Sequence, residues 1–483
     1  MNFKPLTLSL ALGMLPIPAI ALGIEKIELP DMGDSSGSLI SPLQEQELGE
    51  AFFRNLHAQI EINEDAEIQQ YIETIGRQLV SNSDTPGNPF HFFVVLDDSI
   101  NAFAGPGGYI GVNSGLFLLT EAESELASVM AHEVAHVTQR HLYRAFEAAR
   151  KLSIPTAAAT LAAILLGTQS PELGQAALIA VQAGSTQFQI DFTRDNEMEA
   201  DRVGMQTLVD ANYDPRSMPV FFERLQQSTR YYGQGIPEFL RTHPVSASRI
   251  ADTRGRADQY PYRQYPDSKG YLLTKAKLRV LTTSDNQSTL KYFQAHENQG
   301  TPFQRAVARY GIALVHLKSQ QFSDAEKIFR QLVAQYPNQP QFAAALARTA
   351  LDSRQFDQAL KLYKQALHYF PNDVAIKIEF IETLLKTGYP EPAKQTLATL
   401  NTRTRKQPIY YELMAQTQAA LEQDAESHRY LAEYYYAKGQ TEAAIMQIKL
   451  AKQAKELNFY QQAILNERLN FFIREEKQRK QNH

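Results

Sequence analysis

The stretch "VMAHEVAHVTQRH", residues 129–141, sets three histidines and a glutamate into an otherwise apolar, helical run. In an α-helix, positions four apart lie about 40° apart around the axis, so His132 and His136 share a face and can reach one ion. Glu133, next to His132, is placed to hold the water that shares that ion and to take its proton as it attacks a peptide carbonyl. This is the H-E-x-x-H pattern of zinc endopeptidases. On its own it leaves open a helix whose histidines are merely exposed or hydrogen-bonded, so the reading needs a third ligand.

His141 follows His132 by nine residues, about 900° of rotation, which leaves it on the opposite face of the helix. The metzincin pattern needs glycine and histidine where Gln139 and Leu142 stand, which excludes that class. A better candidate lies in "DFTRDNEMEADRVGMQTLV" (191–209), where Glu197 and Asp201 stand four apart on a second expected helix. Glu197 would complete a His₂Glu site with one position open for water. Asp201, one turn on, would accept the remaining N–H of a ligating histidine and fix its tautomer. Glu199, about 200° from Glu197, points elsewhere. Taken without the histidine motif, the same run reads as a solvated surface helix.

Working outward, "FHFFVVLDDS" (90–99) reads as a strand. "NAFAGPGGYIGVNSGLF" (101–117) reads as a Gly-Pro-Gly-Gly turn followed by a short strand over Tyr109, Ile110, Gly111 and Val112. These four residues are the expected edge strand on which an extended peptide would pair through its main chain. Thr120 and Glu123 match a capping box, so the motif helix is expected to begin there and run to about Lys151. Helical periodicity also covers 45–80. Between the two ligand-bearing helices, "IPTAAATLAAILLG" and "GQAALIAVQAG" are each shorter than a membrane span. They are expected to form a hydrophobic hairpin near the site, with peripheral membrane contact left open.

The chain of 483 residues is 43% hydrophobic, enough for more than one core. Its net charge of −5, with both signs well mixed, lacks the basic stripe of a nucleic-acid binder. Residues 1–21 run from Lys4 through an apolar stretch to Ala19-Ile20-Ala21, the layout of a signal peptide cleaved near Ala21. There is no cysteine, so neither disulfides nor thiolate ligands are available, and a bacterial periplasm suits such an exported chain.

Around "RGRADQYPYRQYPDSKG" (254–270) the hydrophobic periodicity gives way, and beyond it the chain repeats. Phe322, Ala325, Phe329 and Pro337 recur as Phe356, Ala359, Tyr363 and Pro371, a shift of 34 at all four positions, and Ala393 and Leu397 extend the series. This is the tetratricopeptide period: small residues where helices cross, an aromatic wedge and a terminating proline. After Leu400 the register decays, with Ala415, Ser427 and Ala443 suggesting hairpins of altered spacing. The expected architecture is therefore a mostly helical α+β zincin-type metalloprotease domain with a small sheet (22–260), followed by an all-α tetratricopeptide-repeat solenoid (261–483).

"HEVAH" followed by "NEMEAD" resembles the HtpX and prenyl-protein-protease group of gluzincin metallopeptidases. The resemblance implies one Zn²⁺ held by His132, His136 and Glu197, with Glu133 as general base and Asp201 behind the ligands. The export signal, "LPDMG", "TRDNEMEAD", "RTHPVSASRI" and the repeat array together resemble the family of periplasmic β-barrel assembly-enhancing proteases, over nearly the whole mature chain. That resemblance implies proteolysis of outer-membrane barrel precursors and docking of the barrel assembly machinery by the repeats. It also implies a regulatory role for His243, which in this family can take the fourth zinc position. A scaffold or chaperone whose proteolysis is reserved for failures is the competing reading.

Overall fold

The computed structural model describes residues 41–146, 194–231, 237–454 and 457–481. The signal-like residues 1–21, the lead-in and both apolar stretches, with the hydrophobic hairpin expected of them, lie outside the described residues. Two helices open the fold, α1 (Pro42–His57) and α2 (Ala66–Val80). Ser41 and Gln44 form a capping box on α1, and the Asp65 carboxylate caps α2. The apolar face of α2, from Ile68 through Leu79, packs under the sheet.

The sheet has three strands, β1 (His91–Val95), β2 (Ala102–Ala104) and β3 (Tyr109–Asn113), in the order β1-β3-β2. β3 runs parallel to β1 and antiparallel to β2, pairing Phe93 and Phe103 with Gly111. Tyr109 to Val112 therefore form the centre of the sheet, not its edge. Both sides of β3 are hydrogen-bonded to neighbours and all its residues are buried, so it has no free main-chain row to offer a peptide. The physical reason is the turn at Pro106–Gly108, where Gly107 and Gly108 take φ of 67° and 74°. It folds β3 back beside β2, while the crossover from β1 places that strand on β3's other flank. The edge nearest the motif helix is the three-residue β2.

A short helix, α3 (Ser114–Leu119), leads to the motif helix α4 (Glu123–Thr138). The expected capping box at Thr120 does not form. Its hydroxyl donates to the Phe117 carbonyl at 2.7 Å and meets the Tyr271 hydroxyl at 2.9 Å. The Glu123 carboxylate instead accepts from the Tyr71 hydroxyl and from Ser268. The N-cap residue is Ala122, which offers no side-chain cap, and the Glu125 Oε2 accepts from the preceding Glu121 N–H at 2.6 Å. Nor does the helix continue to Lys151: it stops at Thr138, Arg140 adopts a left-handed φ of 55°, and α5 (His141–Phe146) starts in a new direction.

The helix that carries Glu197 and Asp201, α6 (Arg194–Asp210), packs along α4. Gly204 makes the close approach possible: a Cβ there would meet the Ala131 carbonyl oxygen at 3.0 Å and His132 Cα at 3.1 Å. Then come α7 (Ser217–Tyr231), α8 (Glu238–Thr242) and α9 (Ala247–Ala257).

After an extended stretch the chain becomes all helical: α10 (Lys269–Thr282), α11 (Asn286–His296), then the antiparallel pairs α12 (Pro302–Lys318) with α13 (Phe322–Gln335), α14 (Pro340–Asp352) with α15 (Phe356–Tyr369), and α16 (Val374–Lys386) with α17 (Pro390–Leu397). Ala325, Phe329, Ala359, Tyr363, Ala393 and Leu397 are all fully buried at the crossings. The turns inside successive pairs carry left-handed residues at Gln320, Arg354, Gly388 and Glu422, each 34 after the last. The period thus outlasts Leu400: α18 (Pro408–Ala420) and α19 (Asp424–Ala437) keep it although their side-chain pattern does not, and α20 (Thr441–Ala451) and α21 (Phe459–Gln481) close the array.

The array folds back on α1 and α2. Lys277 reaches Asp65 and Glu67 at 2.8 Å each, Arg403 pairs with Glu73 at 2.5 Å, and Arg54 pairs with Glu475 at 3.2 Å.

Candidate metal centre

α4 and α6 bring together the residues that the sequence singles out. His132 and His136 project from α4 and Glu197 from α6, while His243 arrives from the turn that ends α8, its N–H bonded to the Phe239 carbonyl at 2.7 Å. One ligand atom from each of the four lies within 4.8 Å of all the others, and all four side chains are buried. Glu197 Oε1 is 3.4 Å from His136 Nε2 and 2.9 Å from His243 Nδ1, and its Oε2 is 3.5 Å from His132 Nε2. Glu133 is fully buried beside them, with Oε1 3.6 Å from His243 Nε2.

The donor set fits a metal ion. His132 turns Nδ1 to Asp201 Oδ1 at 3.1 Å, and His136 turns Nδ1 to His141 Nδ1 at 2.9 Å. With protons on both Nδ1 atoms, the two Nε2 atoms face each other at 3.0 Å as lone pair against lone pair. That is repulsive unless a metal ion, or in its absence a proton on His132, lies between them; nitrogens on a tetrahedral zinc stand about 3.3 Å apart. Glu133 makes no side-chain hydrogen bond among the described residues, and of the backbone only the Ala104 N–H approaches it, so a buried carboxylate faces the cluster with most of its acceptor capacity unused. Imidazole and carboxylate donors without thiolate suit zinc and other divalent first-row ions.

The electrostatics separate the members by role. Burial pushes His136 well below its ordinary value and so keeps it a neutral donor. Burial opposes charge on His132 too, but Asp201 and Glu197 outweigh it and push its value up to about 9, so a metal arriving at neutral pH must displace a proton there. Burial raises the Glu133 carboxyl, with His243 and His132 pulling the other way. Burial would also raise Asp201 and Glu197. Hydrogen bonds from Arg249 and His132 hold Asp201 below the usual range, and His243 with the other two histidines holds Glu197 well below it.

Three residues complete the site that the sequence reading missed or set aside. Arg249, in the first turn of α9, grips Asp201 with two 2.7 Å bonds and lies 2.6 Å from Glu197 Oε2. Its only signal was its place in "HPVSASRI", where Ser246 caps the helix that carries it. His141 is not on the far side of the motif helix: the left-handed Arg140 turns it back onto His136. Glu199 does point away from the four-residue cluster, yet it ends at His141, 3.0 Å from Nε2. Tyr109 to Val112 stay in the sheet, with Tyr109 stacked on His91 and Phe53.

A site of this kind on this fold defines a metallopeptidase. Residues 66–257 match Peptidase family M48, and residues 296–349 and 350–417 match the tetratricopeptide repeat. The protein is thus a metalloendopeptidase domain joined to tetratricopeptide repeats. The chain is 35% identical over 443 residues to the Beta-barrel assembly-enhancing protease of Escherichia coli, covering 92% of this chain and 90% of that one. It is 42% identical over 332 residues to the Putative beta-barrel assembly-enhancing protease of Vibrio cholerae, 68% of each chain. Mitochondrial metalloendopeptidase OMA1 of Schizosaccharomyces pombe is 29% identical over 181 residues, 37% of this chain and 50% of that one. The chain belongs to the β-barrel assembly-enhancing protease family.

Proposed function

We propose that this chain is an exported zinc endopeptidase of the periplasm that degrades misassembled outer-membrane barrel precursors and assists their assembly through its repeats, which dock the barrel assembly machinery. The observation that carries the chemistry is the buried cluster of His132, His136, Glu197 and His243 with the fully buried Glu133 carboxylate beside it. His132, His136 and Glu197 would hold the ion. Zinc, when bound, supplies a Lewis acid that polarises the scissile carbonyl and acidifies water. Glu133 takes the proton of the attacking water and passes it to the leaving amine. Asp201, clamped by Arg249, keeps His132 oriented. The names of the relatives support the barrel substrates, and the repeats support a protein partner. Among the described residues no helix is long and apolar enough to cross a membrane. Export rests on the signal-like residues 1–21.

His243 favours a second reading. It lies 2.9 Å from Glu197 and 3.6 Å from Glu133, where a substrate carbonyl or water would otherwise enter. A latch there makes the resting chain a poor protease and leaves assembly or chaperoning by the repeats as its main work. Glu133→Gln separates the two: it should abolish cleavage of an unfolded barrel precursor while retaining one zinc per chain by mass spectrometry. Unchanged cleavage by that variant would sink the assignment of the base, and full rescue of barrel assembly by it would make the scaffold role dominant. His243→Ala should raise cleavage; unchanged or lower activity would count against the latch.

A further inference from the structure

The two helix-borne histidines are backed in different ways. His132 leans directly on a carboxylate, Asp201. His136 meets another imidazole, His141, whose far nitrogen meets the Glu199 carboxylate. We propose that Glu199 and His141 form a positioning relay that fixes the tautomer of His136 and so tunes the affinity of the metal centre. This rests on the metal-site reading given above.

The relay follows from donor and acceptor bookkeeping. A carboxylate accepts only, so at 3.0 Å from Glu199 Oε2 the His141 Nε2 must carry the proton. In the neutral ring, His141 Nδ1 is then an acceptor. The atom facing it at 2.9 Å, His136 Nδ1, must therefore donate. That leaves the lone pair of His136 on Nε2, the atom turned toward His132 and Glu197. With His141 neutral, the hydrogen-bond geometry allows one proton placement at each step, so the contact with Glu199 fixes a lone pair two rings away. A ligand histidine whose second nitrogen is held in this way is better oriented and more basic, and outer partners of this type are typically worth about 10- to 100-fold in metal affinity.

The local fold supports the arrangement. Had α4 continued, His141 would face away from the cluster. Instead the chain leaves the helix after Thr138, and Arg140 takes the left-handed conformation with its guanidinium 3.6 Å from Glu45. The Tyr143 hydroxyl accepts from the Gly107 N–H at 3.2 Å, which ties the new helix to the turn before β3. His141 is fully buried, whereas Glu199 is about 29% exposed in its side chain. The relay thus runs from the protein surface to the ligand.

The test is zinc affinity, measured on the full chain by competition with a chromophoric chelator. His141→Leu removes the acceptor and should weaken zinc binding about 10- to 100-fold. His141→Asn places an amide oxygen where Nδ1 was and should stay within about threefold of the wild type, a rescue that a purely space-filling role would not give. Glu199→Ala, at a partly exposed position, should weaken binding by itself but cost nothing further in the His141→Leu background. Equal zinc affinity for a folded His141→Leu, or an additive loss in the double variant, overturns the relay. Should His141→Leu fail to fold, ¹⁵N spectra of zinc-loaded wild type decide. Protons on His136 Nδ1 and His141 Nε2 support the relay, and a proton on His141 Nδ1 overturns it. A wild type that binds no zinc would overturn the metal-site reading as well.

Discussion

Replacing Arg249 with methionine keeps an unbranched side chain over the Phe222 ring, which the guanidinium carbon now faces at 5.0 Å, and deletes the charge that holds two buried carboxylates together. Asp201 and Glu197 have side-chain exposures of 2% and 3%, so water cannot replace the lost partner. Removing one member of a buried ion pair costs about 3–5 kcal/mol. His132 still faces Asp201 at 3.1 Å and, with its value near 9, stays charged at neutral pH in the metal-free protein. That places the expected cost at the lower end, about 3 kcal/mol. Local opening is the right observable, because two domains need not unfold in one step. Amide exchange of α4 and α6 in chelator should accelerate about a hundred-fold at pH 7.

The sign of the pH dependence follows from depressed carboxylates. Asp201 and Glu197 lie below their ordinary values of 3.8 and 4.5, so the stability they contribute is fully present above those values and lost as pH falls through the depressed ones. The gap between wild type and variant should therefore be widest near neutrality and narrow below about pH 4. Exchange rates within fivefold of each other at pH 7, or a gap that does not shrink in acid, would show that Arg249 does not act through these carboxylates.

Two further perturbations probe the frame. Glu379, partly buried near Lys277, Asp65 and Arg348, is raised by desolvation from 4.5 to about 7. A folded value above the unfolded one means that wild-type stability falls as pH rises from 4.5 to 7, by up to about 3 kcal/mol. Glu379→Gln keeps the acceptor for the Tyr363 hydroxyl and should flatten that slope. In urea titrations of the repeats it should be the more stable protein at pH 8, and a variant less stable there would refute the argument. Gly204→Val pushes a branched side chain into the Ala131 and His132 backbone. It should cost about 1–3 kcal/mol and weaken zinc binding, because α6 must retreat from α4; unaltered zinc affinity would show that the helix pair has slack.

The residues that carry the site were legible because their signals are local: His132 and His136 share one helix, and Glu197 and Asp201 share another. What the sequence hid depends on where a helix stops. The rotation argument for His141 was sound for a continuous helix and failed because Arg140, an ordinary residue, adopts φ of 55°. The capping box at Thr120 was a real pattern, but Tyr271 and Ser268, about 150 residues away, claim its two members. The central position of β3 depends on a crossover that spacing along the chain cannot reveal. The repeat period was readable from buried alanines and aromatics, and its continuation to Glu422 was not, because a left-handed turn residue needs no particular side chain.

The junction between the two halves bears on how the site is held. The composition shift puts the expected boundary near residue 260, where an extended stretch precedes α10. In packing, α10 belongs to both sides. Tyr271 and Leu278 are fully buried in the core that contains β1, α2 and α4, while Leu273 and Ala276 of the same helix are buried with the first repeats. The Tyr271 ring stacks on Phe117, and its hydroxyl donates to the Thr120 carbonyl just ahead of the motif helix. α2 is shared in the same way, with its apolar face under the sheet and its charged end held by Lys277 and Arg403. The elements that support α4 from beneath therefore receive part of their packing from the repeats. The repeats act as a wall of the protease core as well as a surface for partners, and strain applied to them is transmitted to the helix that carries His132, Glu133 and His136.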